Sequence, residues 1–287
     1  MAEYDQGILA ALCQDPPPST ASPARTLPQA IPSGGVNLNA ILYTASGTGS
    51  HATVLLLHGL PGNEQNIDLA QAMRRAGWNV LTIHYRGSWG GPGNFSFENC
   101  LEDARAALDW IRDAADDTIL KLDADHIVVI GHSMGGFLAA HIAANRAEVM
   151  GVVMISGVDL GRAFGKTDDE GAVARVDENV GISAGLHILT GTSPVALAEE
   201  ARSTAQQWRL TNYAARLADR PVLMATSNDG FASGSDALAE AILAAGSVRL
   251  RRNHLATDHS YSDCRIALQS TVLHWLKAIA PDVDSIF

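Results

Sequence analysis

The stretch "GHSMGG" at residues 131–136 follows the apolar run "HIVVI" and leads into "FLAAHIAANRA". The first flank has the length and content of a buried strand, and the second is helical in character. A surface turn needs one or two glycines. This corner has Gly131, Gly135 and Gly136 around Ser133, so one hydroxyl stands with almost no side-chain bulk beside it. A sharp strand–turn–helix corner lifts that hydroxyl to the C-terminal edge of a sheet and to a helix N-terminus, where backbone N–H groups point outward. Only very small residues fit two positions before and two after it, which is the G-x-S-x-G pattern of a nucleophile elbow. A serine hydroxyl attacks well only when a base takes its proton and the resulting oxyanion is held. Ser133 is therefore the candidate nucleophile; the alternative is a tight glycine corner with an idle serine.

Outward from this corner the chain keeps one rhythm. "ATVLLLHG" (52–59) is a continuous apolar run, as a strand buried on both faces would be. "NEQNIDLAQAMRRAGW" is helical, "NVLTIHY" a strand, and "FENCLEDARAALDWIRDA" a helix with Leu101, Ala104, Leu108 and Ile111 on one stripe. "VMGVVMISG" and "RPVLMATS" are strands, "SDALAEAILAA" a helix, "SVRLRRNHL" a strand and "SDCRIALQSTVLHWLKAI" the last helix. Strands alternating with helices predict a mostly parallel sheet flanked by helices on both faces. "RTLPQAI" and "VNLNAILYTA" add two strands around a glycine turn at one sheet edge.

Six of the 11 prolines fall in residues 13–32, so residues 1–25 are expected to be an extended lead-in. The core is then 26–157 and 221–287, interrupted at 158–220 by a stretch too long for a loop. This stretch predicts a small inserted helical cap. Its helix starts at Ser193, a good N-cap, with Pro194 in the first turn. Val195, Ala198, Ala201, Ala205 and Trp208 fall near one face of it, and Glu199, Glu200, Arg202 and Gln206 mostly on the other. Trp208 and Tyr213 can line a substrate pocket or only pack the cap on the core. The acidic run at 168–170 reads as solvated surface.

A base, an acid and an oxyanion hole can now be sought. "HGLPGN" (58–63) follows a strand and can supply the Leu60 N–H, to pair with that of Met134 beside the nucleophile. "VLMATSNDG" places Asp229 at a strand end, while the rival Asp236 lies inside the next helix. "LRRNHLATDHSYSD" offers His254 at the strand end and His259 in the following loop, where an imidazole can swing over the strand ends. His259 is preferred.

The order Ser133, Asp229, His259 resembles that of the α/β-hydrolase superfamily, and the likeness extends over about residues 26–280. "HYRGSWGGPGNFSFENCLEDARAALDWI" and "ATDHSYSD" are similar to segments of its prolyl-oligopeptidase-like and dienelactone-hydrolase-like branches. The dienelactone hydrolases use cysteine where Ser133 stands, and no propeller domain like that of the oligopeptidases is expected from these residues. The resemblance implies an α/β-hydrolase fold and a serine hydrolase with Ser133, Asp229 and His259 as its triad.

Composition narrows the field. Lys and Arg total 20 against 31 Asp and Glu, and the net charge of −11 opposes nucleic acid and anionic membrane as partners. The three cysteines are scattered, and the ten histidines show no metal-ligand spacing, so neither metal nor other cofactor is expected. "SWGGPGN" lacks the Lys and Ser or Thr of a phosphate loop and is expected near the active-site mouth. The acidic N-terminus does not read as a secretion signal and no apolar run is long enough to span a bilayer, so a cytoplasmic location is expected. The expected reaction is hydrolysis of a small-molecule carboxylic ester through an acyl-enzyme. A peptidase or amidase, an acyltransferase and a silent binding protein on the same fold are the rivals.

Overall fold

The computed structural model describes residues 5–16, 19–164 and 185–280. The acidic run at 168–170 lies outside them. Eight strands form one sheet: β1 (Arg25–Ser33), β2 (Val36–Thr44), β3 (His51–Leu57), β4 (Asn79–Ile83), β5 (Leu122–His132), β6 (Val149–Ile155), β7 (Val222–Thr226) and β8 (Leu250–His254). They lie in the order β1-β2-β4-β3-β5-β6-β7-β8. β1 and β2 form a hairpin through Gly34 and Gly35, whose φ of 53° and 81° suit a tight two-residue turn. β2 is antiparallel to β4, and from there to β8 every pair is parallel. Pro28 and Pro32 are tolerated in β1 because it is an edge strand.

Among the described residues the α-helices are α1 (Gln6–Cys13), α2 (Ile67–Arg75), α3 (Phe97–Asp113), α4 (Met134–Asn145), α5 (Leu160–Phe164), α6 (Pro194–Ser203), α7 (Ala214–Leu217), α8 (Ala232–Ala244) and α9 (Arg265–Ile279). Alternation along each strand splits the core in two. Val54, Leu56, Val128, Ile130, Val153 and Ile155 face one layer, packed under α1, α2 and α9. Leu55, Leu57, Ile127, Val129, Val152 and Met224 face the other, under α3, α4 and α8. Helix α4 is apolar nearly all round and buried nearly all round. Residues 210–217, carrying Tyr213, α7 and Leu217, pack over its outer side and make that composition stable.

Two expectations change. The N-terminal segment is not extended throughout, because residues 6–13 form α1. Asp5 caps it, accepting from the Gly7 and Ile8 amides at 3.1 and 3.2 Å, and also accepts from Lys277 Nζ on α9 at 2.7 Å. Ile8 and Ala11 are buried, which holds the helix on the body of the protein. The second change is in α6, which stops at Ser203. Val195 is exposed and Leu197 takes its place on the buried face beside Ala198 and Ala201. This face packs on α3 and α5. Glu200 is half-buried and engaged: its carboxylate accepts from the Phe97 and Glu98 amides at 2.9 and 2.7 Å, closing the N-terminus of α3.

Candidate active site

β5 ends at His132 and α4 begins at Met134, leaving Ser133 alone between them at φ 58°, ψ −120°. A side chain at such a φ is strained. The corner persists because its backbone is held: Ser133 N–H donates to the Ile155 carbonyl at 2.9 Å, and the Ser133 carbonyl accepts from Gly136 at 2.9 Å and Val158 at 3.1 Å. The glycines answer to close approach. A Cβ on Gly131 would lie 1.9 Å from the Gly135 oxygen, and one on Gly135 would lie 2.2 Å from the Leu57 oxygen of β3. Gly136, outside the five-residue pattern, backs onto Gly157 after β6, with its Cβ position 2.7 Å from the Gly157 Cα.

The loop after β3 passes directly beside this corner. A Cβ on Gly59 would sit 2.8 Å from the Ser133 Cβ. His58 Nδ1 donates to the Gly59 carbonyl at 2.8 Å. In a trans peptide the N–H points opposite to the C=O, so the Leu60 N–H is turned away from His58. Burial lowers the His58 pKa to about 4, which keeps the ring neutral and its single proton on the donating nitrogen. The Leu60–Pro61 peptide is cis. Trp89 Nε1, from the glycine-rich loop at 88–94, donates to the carbonyl of Pro61, a pocket-lining residue, at 3.0 Å; no residue of 88–94 lines the pocket itself.

Asp229 lies in the turn between β7 and α8. One carboxylate oxygen accepts from the Phe231 amide at 2.9 Å, the other from His259 Nδ1 at 2.8 Å. Burial raises the Asp229 pKa, but the hydrogen bonds from His259, Ser156 and Phe231 outweigh it and bring the pKa to about 2. Ser156 in turn shares hydrogen bonds with Ser227 at 3.0 Å and with the Tyr261 hydroxyl at 3.1 Å. The carboxylate thus fixes the proton of His259 on Nδ1. The His259 ring stacks against Phe231 and His132, with centroids 5.2 and 4.7 Å away. His132 Nε2 donates to the His259 carbonyl at 2.8 Å, and burial together with the nearby His259 lowers the His132 pKa to about 3.

The rivals go elsewhere. His254 is exposed and bonds Thr226 and Asn228 at 2.9 and 3.0 Å. Asp236 pairs with Arg252 on the surface. Ser133, His259, Leu60 and Met134 line a single pocket of about 190 Å³. Its apolar wall comes from Phe97, Val158, Leu160, Ala163 and Phe231, and its polar rim from Asn63, Glu64 and Ser260. Trp208 is not on that wall. It lies in the core, edge-on to Phe97 with centroids 6.1 Å apart and 5.8 Å from Phe137. Phe97, the first residue of α3, holds the pocket position instead. Sequence reasoning missed Phe97, Phe231, Glu64 and the Ser156–Tyr261 pair; only the strand-end position of Ser156, after β6, could have signalled one of them. Among the described residues no three His, Cys, Asp or Glu side chains gather as a metal centre would require.

A sequence profile for the alpha/beta hydrolase fold matches residues 52–179. A thermostable carboxylesterase from a metagenomic library superposes with a TM-score of 0.66 at 22% identity, over 96% of this chain and 94% of that one. The chain has the α/β-hydrolase fold. An acylaminoacyl peptidase of Pyrococcus horikoshii shares this α/β-hydrolase architecture with a TM-score of 0.65 at 12% identity, over 88% of this chain and 41% of the peptidase. An uncharacterised protein of Mycobacterium tuberculosis is 29% identical over 137 residues, 44% of this chain and 47% of that protein. The chain therefore spans about half the length of that curated relative. Esterases and peptidases both stand among the structural neighbours that share this fold. Among the described residues no helix is long and apolar enough to cross a membrane.

Proposed function

We propose that the protein is a serine hydrolase that cleaves carboxylic esters through an acyl-enzyme. The observation that carries this reading is the Asp229–His259 hydrogen bond of 2.8 Å, made by a histidine that lines the same pocket as the strained Ser133. With its Nδ1 proton held by Asp229, His259 has Nε2 available as the base. It takes the Ser133 proton as Oγ bonds to the acyl carbon and the carbonyl π pair moves onto oxygen. The Leu60 and Met134 N–H groups hold that oxyanion. The oxyanion collapses, the bond to the alcohol breaks, and His259 returns its proton to the departing oxygen. Water then repeats the sequence and releases the acid. Asp229 balances the imidazolium at each stage.

An ester is favoured over an amide because an alkoxide leaves more readily than an amine and because the wall around Ser133 is apolar. The test is a labelled fluorophosphonate followed by matched ester and anilide substrates. Labelling should map to Ser133, and Ser133→Ala should lower ester turnover by about 10⁴–10⁶-fold with the fold intact. An adduct on another serine, or faster anilide than ester cleavage, would reject the reading.

A further inference from the structure

The pocket has two chemically different ends. Phe97, Val158, Leu160 and Ala163 make the apolar one, where Val158 and Ala163 also border a second groove. At the other end Asn63, Glu64 and Ser260 belong both to the pocket and to an open groove that continues past Ser262, Asp68 and Arg265. An acyl chain suits the first end. The leaving alcohol must take its proton from His259, and Ser260, the next residue, lines the path into the groove. The alcohol is therefore directed toward Glu64.

The charge there is not balanced. Arg265 is the groove's cation, and it is engaged: Nε donates to Asp68 at 2.8 Å, a second nitrogen bonds the other Asp68 oxygen, and further donors meet the Ser260 carbonyl at 2.8 Å and Asn66 Oδ1 at 3.0 Å. Glu64 stands 3.8 Å from the same guanidinium. One arginine thus faces two carboxylates, and Asp258 adds a third negative group near it. Glu64 is the one of these carboxylates that also lines the pocket. Its Oε1 accepts from the Asn66 amide, which ties the side chain to its own loop.

We propose that Glu64 is a specificity residue that makes the site select esters of cationic or neutral polar alcohols and discriminate against anionic ones. This rests on the ester-hydrolase reading. A unit charge on the alcohol within a few ångströms of Glu64, at a half-buried rim, is worth about tenfold in either direction.

Three butyrate esters of similar size test it: choline, 3,3-dimethylbutyl and 2-sulfoethyl. For the wild-type protein kcat/KM should rank choline first and sulfoethyl last, with the extremes about 100-fold apart. Glu64→Gln retains an oxygen for the Asn66 amide and should reduce the choline-to-sulfoethyl ratio at least fivefold, each value being normalised to the dimethylbutyl ester. Equal rates for all three esters in the wild type, or an unchanged ratio in Glu64→Gln with normal fluorophosphonate labelling, overturn the specificity proposal alone. Absence of turnover on all three, with no labelling of Ser133, overturns the hydrolase reading and this one with it.

Discussion

Gly59→Ala isolates the oxyanion loop from the rest of the site. Gly59 does not occupy the positive-φ region, so alanine meets no backbone penalty there. The obstacle is space: the new Cβ would lie 2.8 Å from the Ser133 Cβ, 3.2 Å from the His132 oxygen and 3.3 Å from Ser133 Oγ. Carbon atoms rest at about 3.5–4.0 Å, so the loop or the elbow must shift by about 1 Å. The elbow is held by four backbone hydrogen bonds, from Ser133 to Ile155 and from Gly136, Phe137 and Val158 to Ser133, so the loop is the part that gives way. That moves the Leu60 N–H from its proposed station in the oxyanion hole. A misplacement of about 1 Å costs about 10²-fold, and loss of one oxyanion donor about 10²–10³-fold in kcat, or about 3–4 kcal/mol.

The assay is steady-state hydrolysis of a short-chain ester beside thermal unfolding. The expected result is a fall of about 10²–10³ in kcat, with a smaller change in KM and a cooperative melt. An alanine variant with full kcat would refute the placement of Leu60 in the oxyanion hole. A variant that loses kcat only because it fails to melt cooperatively would refute the argument that the loop, not the fold, absorbs the shift.

Other outcomes follow from the same geometry. His259→Ala should be nearly as damaging as Ser133→Ala and the double variant little worse than either, whereas His254→Ala should keep turnover within about tenfold; steady-state rates of the four variants check this. Trp208→Ala should cost about 3–5 kcal/mol in denaturant titrations with little change in acyl-chain preference, while Phe97→Ala should shift preference toward bulkier acyl groups. Acid should destabilise the fold. His58 and His132 have native pKa values of about 4 and about 3, below the ordinary 6.5, so the unfolded chain takes up protons first as pH falls below about 6.5. Stability should then fall by about 2 kcal/mol for each by pH 5, and Asp229, at about 2 against 3.8, should add to the loss below pH 3.8. Urea titrations of Ser133→Ala at pH 7.5 and pH 5 measure this, and equal midpoints would contradict the buried, neutral state of these rings.

The strand–helix alternation was legible because buried parallel strands carry unbroken apolar runs and the helices between them a clear stripe. The elbow was legible for a local reason: Gly131 and Gly135 are demanded by atoms within a few residues or on the adjacent β3. The meeting of Asp229 with His259 follows from both lying just past the ends of neighbouring strands. What escaped depends on packing between distant segments. α1 was hidden by the prolines that follow it, although Asp5 and the Ile8–Ala11 spacing carried the signal. Trp208 lies on the helical spacing of α6, but α6 ends five residues earlier, at Ser203, and the chain turns the indole onto Phe97 and Phe137. Glu200 looked like a surface acid because nothing local shows that the free amides of α3 lie above it. Ser156 and Tyr261 support Asp229 from segments more than 30 residues from it. No pattern along the chain links them.

His58 after β3, His84 after β4 and His132 at the end of β5 stand at the same edge of the sheet as His259, which lies ahead of α9. Of these, His259 is the one hydrogen-bonded to a carboxylate. Burial lowers the pKa of the other three, so near neutrality they are neutral. Their neutrality matters to the proposed chemistry. His132 lies 4.7 Å, ring to ring, from His259. A charge on it would repel the imidazolium that forms when Ser133 gives up its proton, raising the barrier that Asp229 lowers. A neutral ring still has one N–H to donate. His132 donates to the His259 carbonyl and His58 to the Gly59 carbonyl, each fixing backbone that borders the pocket. Two buried imidazoles thus fix the backbone at the proposed base and at the proposed oxyanion loop. With those rings uncharged, the proposed reaction leaves stabilisation of the oxyanion to backbone N–H groups, which need no proton uptake and no reorganisation as the negative charge develops.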